Sequence, residues 1–484
     1  MIKKRNASLT LLGIFSLMLS GCGKRVTFPS YTPYKDSDYE ILEDEEGYKY
    51  VDFYALNDFH GAVSQNLEKS EPGIGVLANY MQNRRKENPG GSVFLANGDM
   101  WQGTIDSNLT RGKLVTDELN YLGFDAFTMG NHEFDWTTEQ VKENKQNSKF
   151  PYLGANIIDK ETGSRVDWLE ASTFITRDEI NIGIIGTIGA DLERTVQASL
   201  ISDIEFDVVT NYVKEEAEQL REKGADIVVL STHDTLTTPN ADYSEIISNH
   251  YVDAIFCGHE HALDFYEDNG IPILQTSGRG REVQYVRFAY KDGAVTLDDY
   301  RIDSVIEPYR PDLTEDEVAK QIYEYHAQDI TKMKSKVVGK VKNGPLSITQ
   351  TANLAVKAMV EAVPGSVGAI HNIRGGVRRE LPNGKVKYEH IYEAFPFDNE
   401  IVIMKLTGNQ LKTLMQSSSQ HARYFNLTVD DIVMDEIYDV LTITYIYELD
   451  FEQIYKDYEI TNVYAREAVV QYFNNHKTVD GKDF

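Results

Sequence analysis

Cysteine is nearly absent from this sequence: the 484 residues contain only Cys22 and Cys257. So few cysteines exclude a disulfide scaffold of the kind that small secreted domains use. Long apolar runs are missing as well, because after residue 22 no stretch is apolar enough to cross a membrane as a helix. The fold must therefore rest on ordinary hydrophobic cores, and a chain of this length is long enough for two or three domains.

Positive charge is also in short supply. Lysine and arginine number 48 against 76 aspartates and glutamates, which gives a formal net charge of −28. Such an acidic surface repels the backbone of a nucleic-acid polymer, so a nucleic-acid partner is not expected. It also means that an anionic substrate needs a local positive centre, which a metal cluster can supply. The hydrophobic share of 41% and the charged share of 26% are ordinary for a folded globular protein.

The N-terminus has the parts of a secretory signal. Basic residues at positions 3–5 precede an apolar run at 11–19 that is too short for a membrane-spanning helix. The sequence Leu19-Ser20-Gly21-Cys22 resembles the bacterial lipobox, which implies cleavage before Cys22 and attachment of lipid to that cysteine. We therefore expect a signal peptide over 1–21, a flexible tether over 22–48, and an extracytoplasmic protein anchored to the bacterial cell membrane by lipid.

The region from 49 to 306 alternates short Val-, Ile- and Phe-rich runs with helical or polar segments. Several of the predicted strands are apolar on both faces, as expected when other layers cover a sheet on both sides. The pattern predicts an α/β domain. Its predicted strands lie at 51–56, 92–96, 126–129, 180–186, 226–230 and 252–256, and its predicted helices at 76–86, 138–144 and 208–223.

A break at Pro308 and Pro311 separates this domain from the rest of the chain. Residues 313–336 are charged and helix-forming, with Thr314 as the expected N-cap, and we interpret the linker at 307–337 as a connecting helix. A second, smaller α/β domain is predicted over 338–484. Its expected helices lie at 351–362 and 408–416, and its expected strands at 401–406 and 439–447.

Five of the predicted strands run directly into Asp, Asn or His side chains. Because binding sites of α/β sheets form at the carboxyl ends of the strands, these side chains are expected to meet. Each motif alone is weak evidence, but five in succession argue against a purely structural explanation. The segments are Asn57-Asp58-Phe59-His60-Gly61, Asn97-Gly98-Asp99, Gly130-Asn131-His132-Glu133-Phe134-Asp135, Ser231-Thr232-His233-Asp234 and Gly258-His259-Glu260-His261.

Mixed imidazole and carboxylate ligands suit divalent ions such as Mn²⁺, Zn²⁺, Fe²⁺ or Co²⁺. Two such ions about 3.5–4 Å apart clamp a phosphate and offset the charge of the transition state. The sequence therefore predicts a phosphoesterase site with two metal ions, one residue (Asp99) being shared between them. The seven candidate ligands are Asp58, His60, Asp99, Asn131, His233, His259 and His261.

The order of these motifs is similar to that of the calcineurin-like metallophosphoesterases, and their fuller spelling resembles the 5′-nucleotidase family. Segments 56–61, 130–136 and 275–283 carry the resemblance, which covers nearly the whole mature chain and is strong up to about residue 290. It implies a four-layer α/β/β/α metallophosphoesterase domain joined by a helix to a smaller α/β C-terminal domain that binds substrate.

The same resemblance implies a role for each motif residue. His132 is not expected to be a ligand: oriented by Asp135, it stabilises the transition state and assists the leaving alcohol, as a protonated imidazole can near neutral pH. Asp135 is also a candidate helix N-cap. One ion is assigned to Asp58, His60, Asp99 and His261, and the other to Asp99, Asn131, His233 and His259.

The second domain departs from the family pattern. Arg378, in the sequence Arg374-Gly375-Gly376-Val377-Arg378, resembles the family's phosphate-binding arginine, and a guanidinium suits that task through its bidentate geometry. A second arginine and a glycine-rich loop that brings a stacking aromatic are missing. Thr461-Asn462-Val463-Tyr464-Ala465 is a candidate remnant of that loop, and Tyr464 and Tyr445 are candidates to stack on a base.

These observations predict an extracytoplasmic phosphoesterase with two metal ions that hydrolyses phosphate monoesters, foremost nucleoside 5′-monophosphates. A second interpretation keeps the metal site and changes the substrate to a 2′,3′-cyclic nucleotide, a nucleotide sugar or a non-nucleotide phosphate ester. A third, from a different class, is a binding lipoprotein without activity, and the intact set of ligands argues against it. Metal identity, exact substrate and oligomeric state do not follow from the sequence.

Overall fold

The computed structural model describes residues 25–235, 241–306 and 314–484. They form two compact units: a larger one of Thr27–Ala327, and a smaller one of Gln328–Phe484 with which Arg25 and Val26 are grouped. Among the described residues, none of the helices has both the length and the apolar character needed to span a membrane. Cys22, the signal peptide and the break at Pro308 and Pro311 lie outside the described residues.

The described residues of the larger unit form both strands and helices. The strands are β1 Lys49–Leu56, β2 Ser92–Asn97, β3 Ala126–Thr128, β4 Tyr152–Leu153, β5 Ile157–Asp159, β6 Ser164–Arg165, β7 Ser172–Arg177, β8 Ile180–Ile188, β9 Ile204–Phe206, β10 Ile227–His233, β11 Ala254–Phe256, β12 Asp264–Asp268, β13 Ile271–Gln275, β14 Glu282–Lys291 and β15 Ala294–Ser304. The helices are α1 Gly73–Glu87, α2 Ile105–Leu109, α3 Lys113–Leu122, α4 Thr138–Gln146, α5 Val209–Glu222, α6 Ala241–Ser248 and α7 Glu317–Ala327.

Two six-stranded sheets form the middle of this unit. One has the order β15-β14-β1-β2-β3-β4, and the other has the order β12-β13-β11-β10-β8-β7. The strands that end at the site pair with one another in parallel: β1 with β2 and β2 with β3 in the first sheet, and β10 with β11 in the second, where β10 is also parallel to β8. Their carboxyl ends therefore lie along one edge of each sheet.

The alternation of side chains along the strands divides the core into layers. In β1, Phe53 and Ala55 join the buried cluster shared by the two sheets, whereas Tyr54 and Leu56 join the cluster under the helices. The outer cluster of the first sheet includes residues of α1 and α3, and that of the second sheet includes residues of α5 and α6. The unit is thus a four-layer α/β/β/α fold, as predicted.

The smaller unit is also α/β. Its strands form a three-stranded sheet, β18-β16-β23, and a five-stranded sheet, β20-β17-β21-β19-β22. The elements are α8 Thr331–Lys334, β16 Val337–Lys342, α9 Ile348–Ala362, β17 Gly368–His371, β18 Gly384–Lys387, α10 Tyr388–Ala394, β19 Glu400–Thr407, α11 Gly408–Gln416, β20 Ala422–Phe425, β21 Ile437–Ile443, α12 Thr444–Ile446, β22 Tyr458–Tyr464, α13 Ala465–His476 and β23 Thr478–Asp480.

The segment predicted to be a flexible tether is docked on the larger unit over much of its described part. The ring of Tyr34 lies 3.9 Å from the guanidinium carbon of buried Arg85, and Asp36 pairs with buried Arg177 at 3.1 Å. The carbonyl of Glu40 accepts a hydrogen bond from Gly90. The prediction from polar composition was wrong here because this segment supplies partners to two buried arginines, which its own residues do not reveal.

The helix predicted over 313–336 is two helices, α7 and α8. Helix α7 begins at Glu317 because the Asp316 carboxylate accepts hydrogen bonds from the backbone N–H groups of Val318 and Ala319, so the N-cap is Asp316 rather than Thr314. Its residue His326 lies 2.9 Å from Asp117 of α3, and the helix packs within the larger unit. Helix α7 is therefore part of that unit and is not a free connector.

Two details of the smaller unit differ from the predictions. The strand expected at 439–447 is present as β21, but it ends at Ile443, and Tyr445 lies in the short helix α12. The segment taken as a remnant of the glycine-rich loop is the end of edge strand β22, which pairs with β19. Its alternating burial and its Ile, Thr and Val side chains suit a strand, and it has no glycine that favours a loop.

Candidate metal and active site

The strand ends bring the seven predicted ligands together as two neighbouring groups. In the first group, Nε2 of His261 lies 3.0 Å from Oδ1 of Asp58 and 2.9 Å from Nε2 of His60. Each of these residues offers one ligand atom to a common point, with the atoms within 4.8 Å of one another. Asp58 and His60 are fully buried, whereas the His261 side chain is 34% exposed. The group is therefore open to solvent on the side of His261.

The second group consists of Asp99, His233 and His259, with Asn131 beside them. Nε2 of His233 lies 3.3 Å from Oδ2 of Asp99 and 3.2 Å from Oδ1 of Asn131. Nδ1 of His259 lies at the same distance, 3.2 Å, from that amide oxygen. Asn131 thus faces both imidazoles of the group with its oxygen, as a metal ligand does.

Asp99 stands between the two groups. Its Oδ2 lies 3.3 Å from Nε2 of His233 in the second group and 3.9 Å from Nε2 of His60 in the first. Its other oxygen accepts a hydrogen bond of 2.9 Å from the backbone N–H of His132. This position matches the shared role that the sequence predicted, which stays a prediction until metal binding is measured.

Backbone carbonyls set the tautomers of two of the histidines. Nδ1 of His60 lies 2.7 Å from the carbonyl of Gln102, and Nδ1 of His233 lies 2.8 Å from the carbonyl of Asn97. A carbonyl only accepts, so each Nδ1 carries the proton and each Nε2 lone pair points into the site.

Those lone pairs meet other acceptors. Nε2 of His233 faces oxygens of Asp99 and Asn131, and Nε2 of His261 faces Oδ1 of buried Asp58 at 3.0 Å. Lone pairs that converge in this way repel one another unless a cation lies between them or an imidazole takes up a proton. The donor set therefore fits divalent metal ions, with nitrogen and carboxylate ligands in the mixture that Mn²⁺, Zn²⁺, Fe²⁺ and Co²⁺ accept.

The pKa shifts of the titratable groups in the metal-free site also favour bound cations. Burial disfavours the imidazolium of His233, but the Asp99 carboxylate outweighs it and raises the pKa of His233 to about 10. Burial also disfavours the charged form of Asp99, yet the imidazoles of His233 and His132 lower the pKa of this carboxyl well below its usual range. Burial and then His233 lower the pKa of His259 to about 4. The site thus demands positive charge at its centre, which bound metal would supply.

The backbone of the site is held in an uncommon conformation. Five of the seven predicted ligands have positive φ angles: Asp58 at 50°, His60 at 49°, Asp99 at 53°, His259 at 80° and His261 at 51°. Left-handed backbone at residues other than glycine concentrates at functional sites, where surrounding structure holds it. No pattern in the sequence indicated this feature directly.

Two glycines let the loops approach one another closely. A Cβ atom on Gly98, whose φ is 82°, would lie 2.5 Å from Nδ1 of His233. A Cβ atom on Gly130 would lie 2.4 Å from the backbone nitrogen of Asp99. Because such contacts are far below van der Waals distance, these positions require glycine.

His132 is arranged differently from the predicted ligands. Its Nδ1 lies 2.9 Å from Oδ2 of Asp135, so this carboxylate holds the ring and directs Nε2 toward the site. Nε2 is 3.9 Å from Oδ2 of Asp99, and the side chain is 9% exposed. Asp135 follows a short 3-10 helix, and the N-cap position of the next helix is Thr137, so the alternative prediction that Asp135 is an N-cap was wrong.

Sequence reasoning missed several residues that support the site. The carbonyls of Asn97 and Gln102 orient histidines, and the Asn57 amide donates a hydrogen bond of 2.7 Å to Oδ2 of Asp58. Glu133 accepts hydrogen bonds from backbone N–H groups of the Asp99 loop. The only sequence indication of a role for Glu133 was its place in the Gly-Asn-His-Glu motif. Every residue has a backbone carbonyl, so the sequence does not indicate which carbonyls orient the histidines.

In the smaller unit, Arg378 is half-buried and its backbone N–H donates to the carbonyl of Ala394 at 2.9 Å. Tyr464, at the end of β22, lies 4.9 Å from the guanidinium of buried Arg466, which is also ion-paired with Asp398. Tyr445 donates its backbone N–H to the Asn399 side chain at 3.2 Å. Both candidate stacking tyrosines therefore stand on segments that hydrogen bonds or an ion pair hold in place.

Comparison with known proteins identifies both parts of the chain. Residues 51–263 match the calcineurin-like phosphoesterase family, and residues 330–480 match the C-terminal domain of 5′-nucleotidases. UshA of Salmonella pullorum is 23% identical over 462 residues, covering 84% of this chain and 80% of that protein. A 2′,3′-cyclic-nucleotide 2′-phosphodiesterase/3′-nucleotidase of Salmonella typhimurium is 24% identical over 395 residues, covering 68% of this chain and 61% of that protein.

A solved structure has the same fold over nearly the whole chain. The 5′-nucleotidase precursor from Thermus thermophilus superposes with a TM-score of 0.72 at 18% identity, covering 89% of this chain and 97% of that one. The two matched domains follow one another in the order that 5′-nucleotidases have. The first of them contains the ligand-bearing strand ends described above. The chain therefore belongs to the 5′-nucleotidase family of calcineurin-like metallophosphoesterases, and it is a metal-dependent phosphoric ester hydrolase.

Proposed function

We propose that this enzyme hydrolyses phosphate monoesters, foremost nucleoside 5′-monophosphates, with two divalent metal ions. The observation that carries the proposal is the pair of adjoining donor groups whose nitrogen and carboxylate lone pairs converge on common points. Asp99 faces both groups and is the proposed shared ligand. The proposed ligands are Asp58, His60, Asp99 and His261 for one ion, and Asp99, Asn131, His233 and His259 for the other.

Bound metal ions would supply Lewis-acid activation of the phosphate and of the attacking water. The chain's own residues divide the remaining tasks. The carbonyls of Asn97 and Gln102 accept hydrogen bonds from Nδ1 of His233 and His60, and they thereby direct Nε2 of both histidines inward, toward the proposed ions. Nδ1 of His132 donates to Asp135, which leaves Nε2 of His132 to carry a proton toward the leaving alkoxide. His132 is therefore the proposed general acid, and Asp135 is the residue that orients it.

The smaller unit is proposed to bind the nucleoside and the phosphate. Arg378 is the candidate phosphate contact, because a guanidinium makes charge-assisted and often bidentate bonds to phosphate. Tyr464 or Tyr445 is the candidate platform for the base, since an exposed aromatic face stacks on any base. The name of the matched Thermus structure, a 5′-nucleotidase precursor, favours this class of substrate.

A second candidate function is hydrolysis of 2′,3′-cyclic nucleotides by the same metal site. One observation favours it specifically: one of the matched relatives carries that activity in its name. The strand β22, which lies where the glycine-rich loop of the family was expected, supports a changed substrate in general. Nucleotide sugars and non-nucleotide phosphate esters are further alternatives within the same chemistry. All of them share the metal site and differ only in what the smaller unit holds.

We also propose that the enzyme is extracytoplasmic and anchored by lipid on Cys22. The lipobox-like sequence and the signal-like segment before it support this location. A Cys22→Ala variant should leave the protein soluble outside the cell or unprocessed. Mass spectrometry of the mature N-terminus tests this, and an unlipidated N-terminus elsewhere in the wild-type protein would contradict it.

A substrate panel tests the proposed activity. The purified protein is treated with a chelator and reconstituted separately with Mn²⁺, Co²⁺ and Zn²⁺. It is then assayed with a nucleoside 5′-monophosphate, a 2′,3′-cyclic nucleotide, a nucleotide sugar and an aryl phosphate. We expect metal-dependent release of phosphate, fastest from the 5′-monophosphate, and two bound ions per chain. A preference for the cyclic nucleotide would move the assignment to the second candidate, and activity that survives chelation would contradict the metal mechanism.

A further inference from the structure

Glu133 is a fully buried carboxylate that no lysine or arginine neutralises among its described contacts. Its two oxygens accept four backbone hydrogen bonds. Oε2 accepts from the N–H of Asp99 at 2.7 Å and of Gly130 at 2.9 Å, and Oε1 accepts from Met100 at 2.9 Å and Trp101 at 3.3 Å. Convergent N–H groups stabilise a buried anion and fix its position.

A local role as a helix cap accounts for only one of these bonds. Gly130 precedes the 3-10 helix Asn131–Phe134, so its N–H is within reach of a residue three positions later. The other three donors lie 32 to 34 residues earlier in the chain, in the loop after β2. Glu133 therefore joins the loop after β3 to the loop that carries Asp99.

The connection between these loops is reciprocal. Glu133 takes the N–H of Asp99, and Oδ1 of Asp99 takes the N–H of His132 at 2.9 Å. Asp99 is thus held on both sides, at its backbone by one carboxylate and at its side chain by the neighbouring residue of the same motif. The φ angle of Asp99 is 53°, a left-handed conformation that a residue other than glycine keeps only where the surrounding structure holds it.

We propose that Glu133 is a positioning residue: it holds the Asp99 loop so that Asp99 reaches both groups of ligands, and it thereby sets the affinity for both metal ions. The inference rests on the proposed role of Asp99 as the shared ligand. Residues outside the ligand set commonly change metal affinity by about 10–100-fold when they are replaced. Because Asp99 faces both groups, loss of its support should weaken both ions together.

The test compares three substitutions. Glu133→Gln keeps the shape but replaces one acceptor oxygen with an NH₂ group, which then faces backbone N–H donors. Glu133→Asp keeps both acceptors on a shorter arm. Glu118→Gln is the matched control, because Glu118 is another fully buried glutamate of the same unit, on α3, and neither of its oxygens accepts a hydrogen bond from the described residues.

Isothermal titration of each metal-free protein with Mn²⁺ gives stoichiometry and affinity, and circular dichroism monitors the fold. We expect Glu133→Gln to bind both ions about 10–100-fold more weakly. Glu133→Asp should lie between this variant and the wild type, and Glu118→Gln should match the wild type. At saturating Mn²⁺ the loss in kcat of the Glu133 variants should shrink, while KM for the substrate stays unchanged.

Several outcomes would overturn the inference. Wild-type affinity for both ions in folded Glu133→Gln would do so, as would a larger loss in Glu133→Asp than in Glu133→Gln, which would indicate a steric role only. If Glu133→Gln does not fold, Glu133→Asp decides, since it must weaken both ions at an unchanged melting temperature. Fewer than two ions in the wild-type protein would instead refute the proposed function, so the two failures are distinguishable.

Discussion

The proposed role of His132 is proton transfer without metal binding, and the substitution His132→Ala tests that role. In the structure, the imidazole contacts Asp135 through Nδ1 and turns Nε2 toward the site. Asp99, the proposed shared ligand, accepts a hydrogen bond of 2.9 Å from the backbone N–H of His132. Alanine keeps that N–H, so the substitution removes the acid and leaves the carboxylate supported.

The expected magnitude follows from the loss of a positioned general acid. Such a group contributes about 10²–10⁴-fold, which corresponds to roughly 2.7–5.4 kcal/mol of activation free energy at 1.36 kcal/mol per tenfold. The loss should appear in kcat for a nucleoside 5′-monophosphate, whose leaving alkoxide needs a proton. It should be at least about tenfold smaller for p-nitrophenyl phosphate, since a nitrophenolate leaves without one.

Steady-state kinetics with both substrates, and elemental analysis of bound metal, check this prediction. Metal content should equal that of the wild type. Asp135→Asn, which keeps the imidazole and weakens its orientation, should fall between the wild type and His132→Ala. His476→Ala serves as the control, because His476 is exposed and pairs with Glu361 in the smaller unit. Loss of a metal ion in His132→Ala, or equal losses with the two substrates, would refute the reasoning.

Three further predictions concern other parts of the chain. Asp99→Ala should abolish turnover and release both ions, and near-normal activity with two ions bound would contradict the shared-ligand assignment. Arg378→Ala should impair hydrolysis of a nucleoside monophosphate far more than that of an aryl phosphate, whereas equal effects would remove the nucleotidase label and leave the metal site. Burial, and then the charges of Asp316 and Asp117, raise the pKa of Glu118 well above its usual 4.5. The folded state therefore binds this proton more tightly than the unfolded state, and stability falls as the pH rises above 4.5 toward the raised pKa. Glu118→Gln should flatten that slope in denaturation curves between about pH 5 and pH 8, and an unchanged slope would contradict it.

The sequence predicted the parts of the fold that short local patterns encode. The strands before Asp58, Asp99 and Asn131 were predictable because apolar runs end in a compact motif, and their parallel arrangement follows from the α/β alternation. The four layers and the family were confirmed. The boundaries of single elements differed by a few residues, because hydrogen bonding across the sheet rather than local composition ends a strand.

Contacts between distant segments account for what the sequence did not reveal. Glu133 accepts hydrogen bonds from three N–H groups of a loop that lies more than thirty residues earlier in the chain. The docking of Tyr34 depends on Arg85, and the packing of α7 within the larger unit involves the contact of His326 with Asp117. Strand β22 was missed because a family pattern was expected where its own residues favour a strand. In each case the deciding partner lies elsewhere in the chain or in the pairing of strands.

The left-handed backbone at five predicted ligands has a consequence for the evolution and engineering of this enzyme. An L-residue other than glycine in that conformation costs roughly 1–2 kcal/mol, so the five together cost on the order of 5–10 kcal/mol. That sum is comparable to the whole net stability of a typical domain. The layered cores of the larger unit must therefore exceed what folding alone requires. Selection for thermostability without metal would tend to replace these residues with glycine, and a more robust protein would emerge that has lost its site.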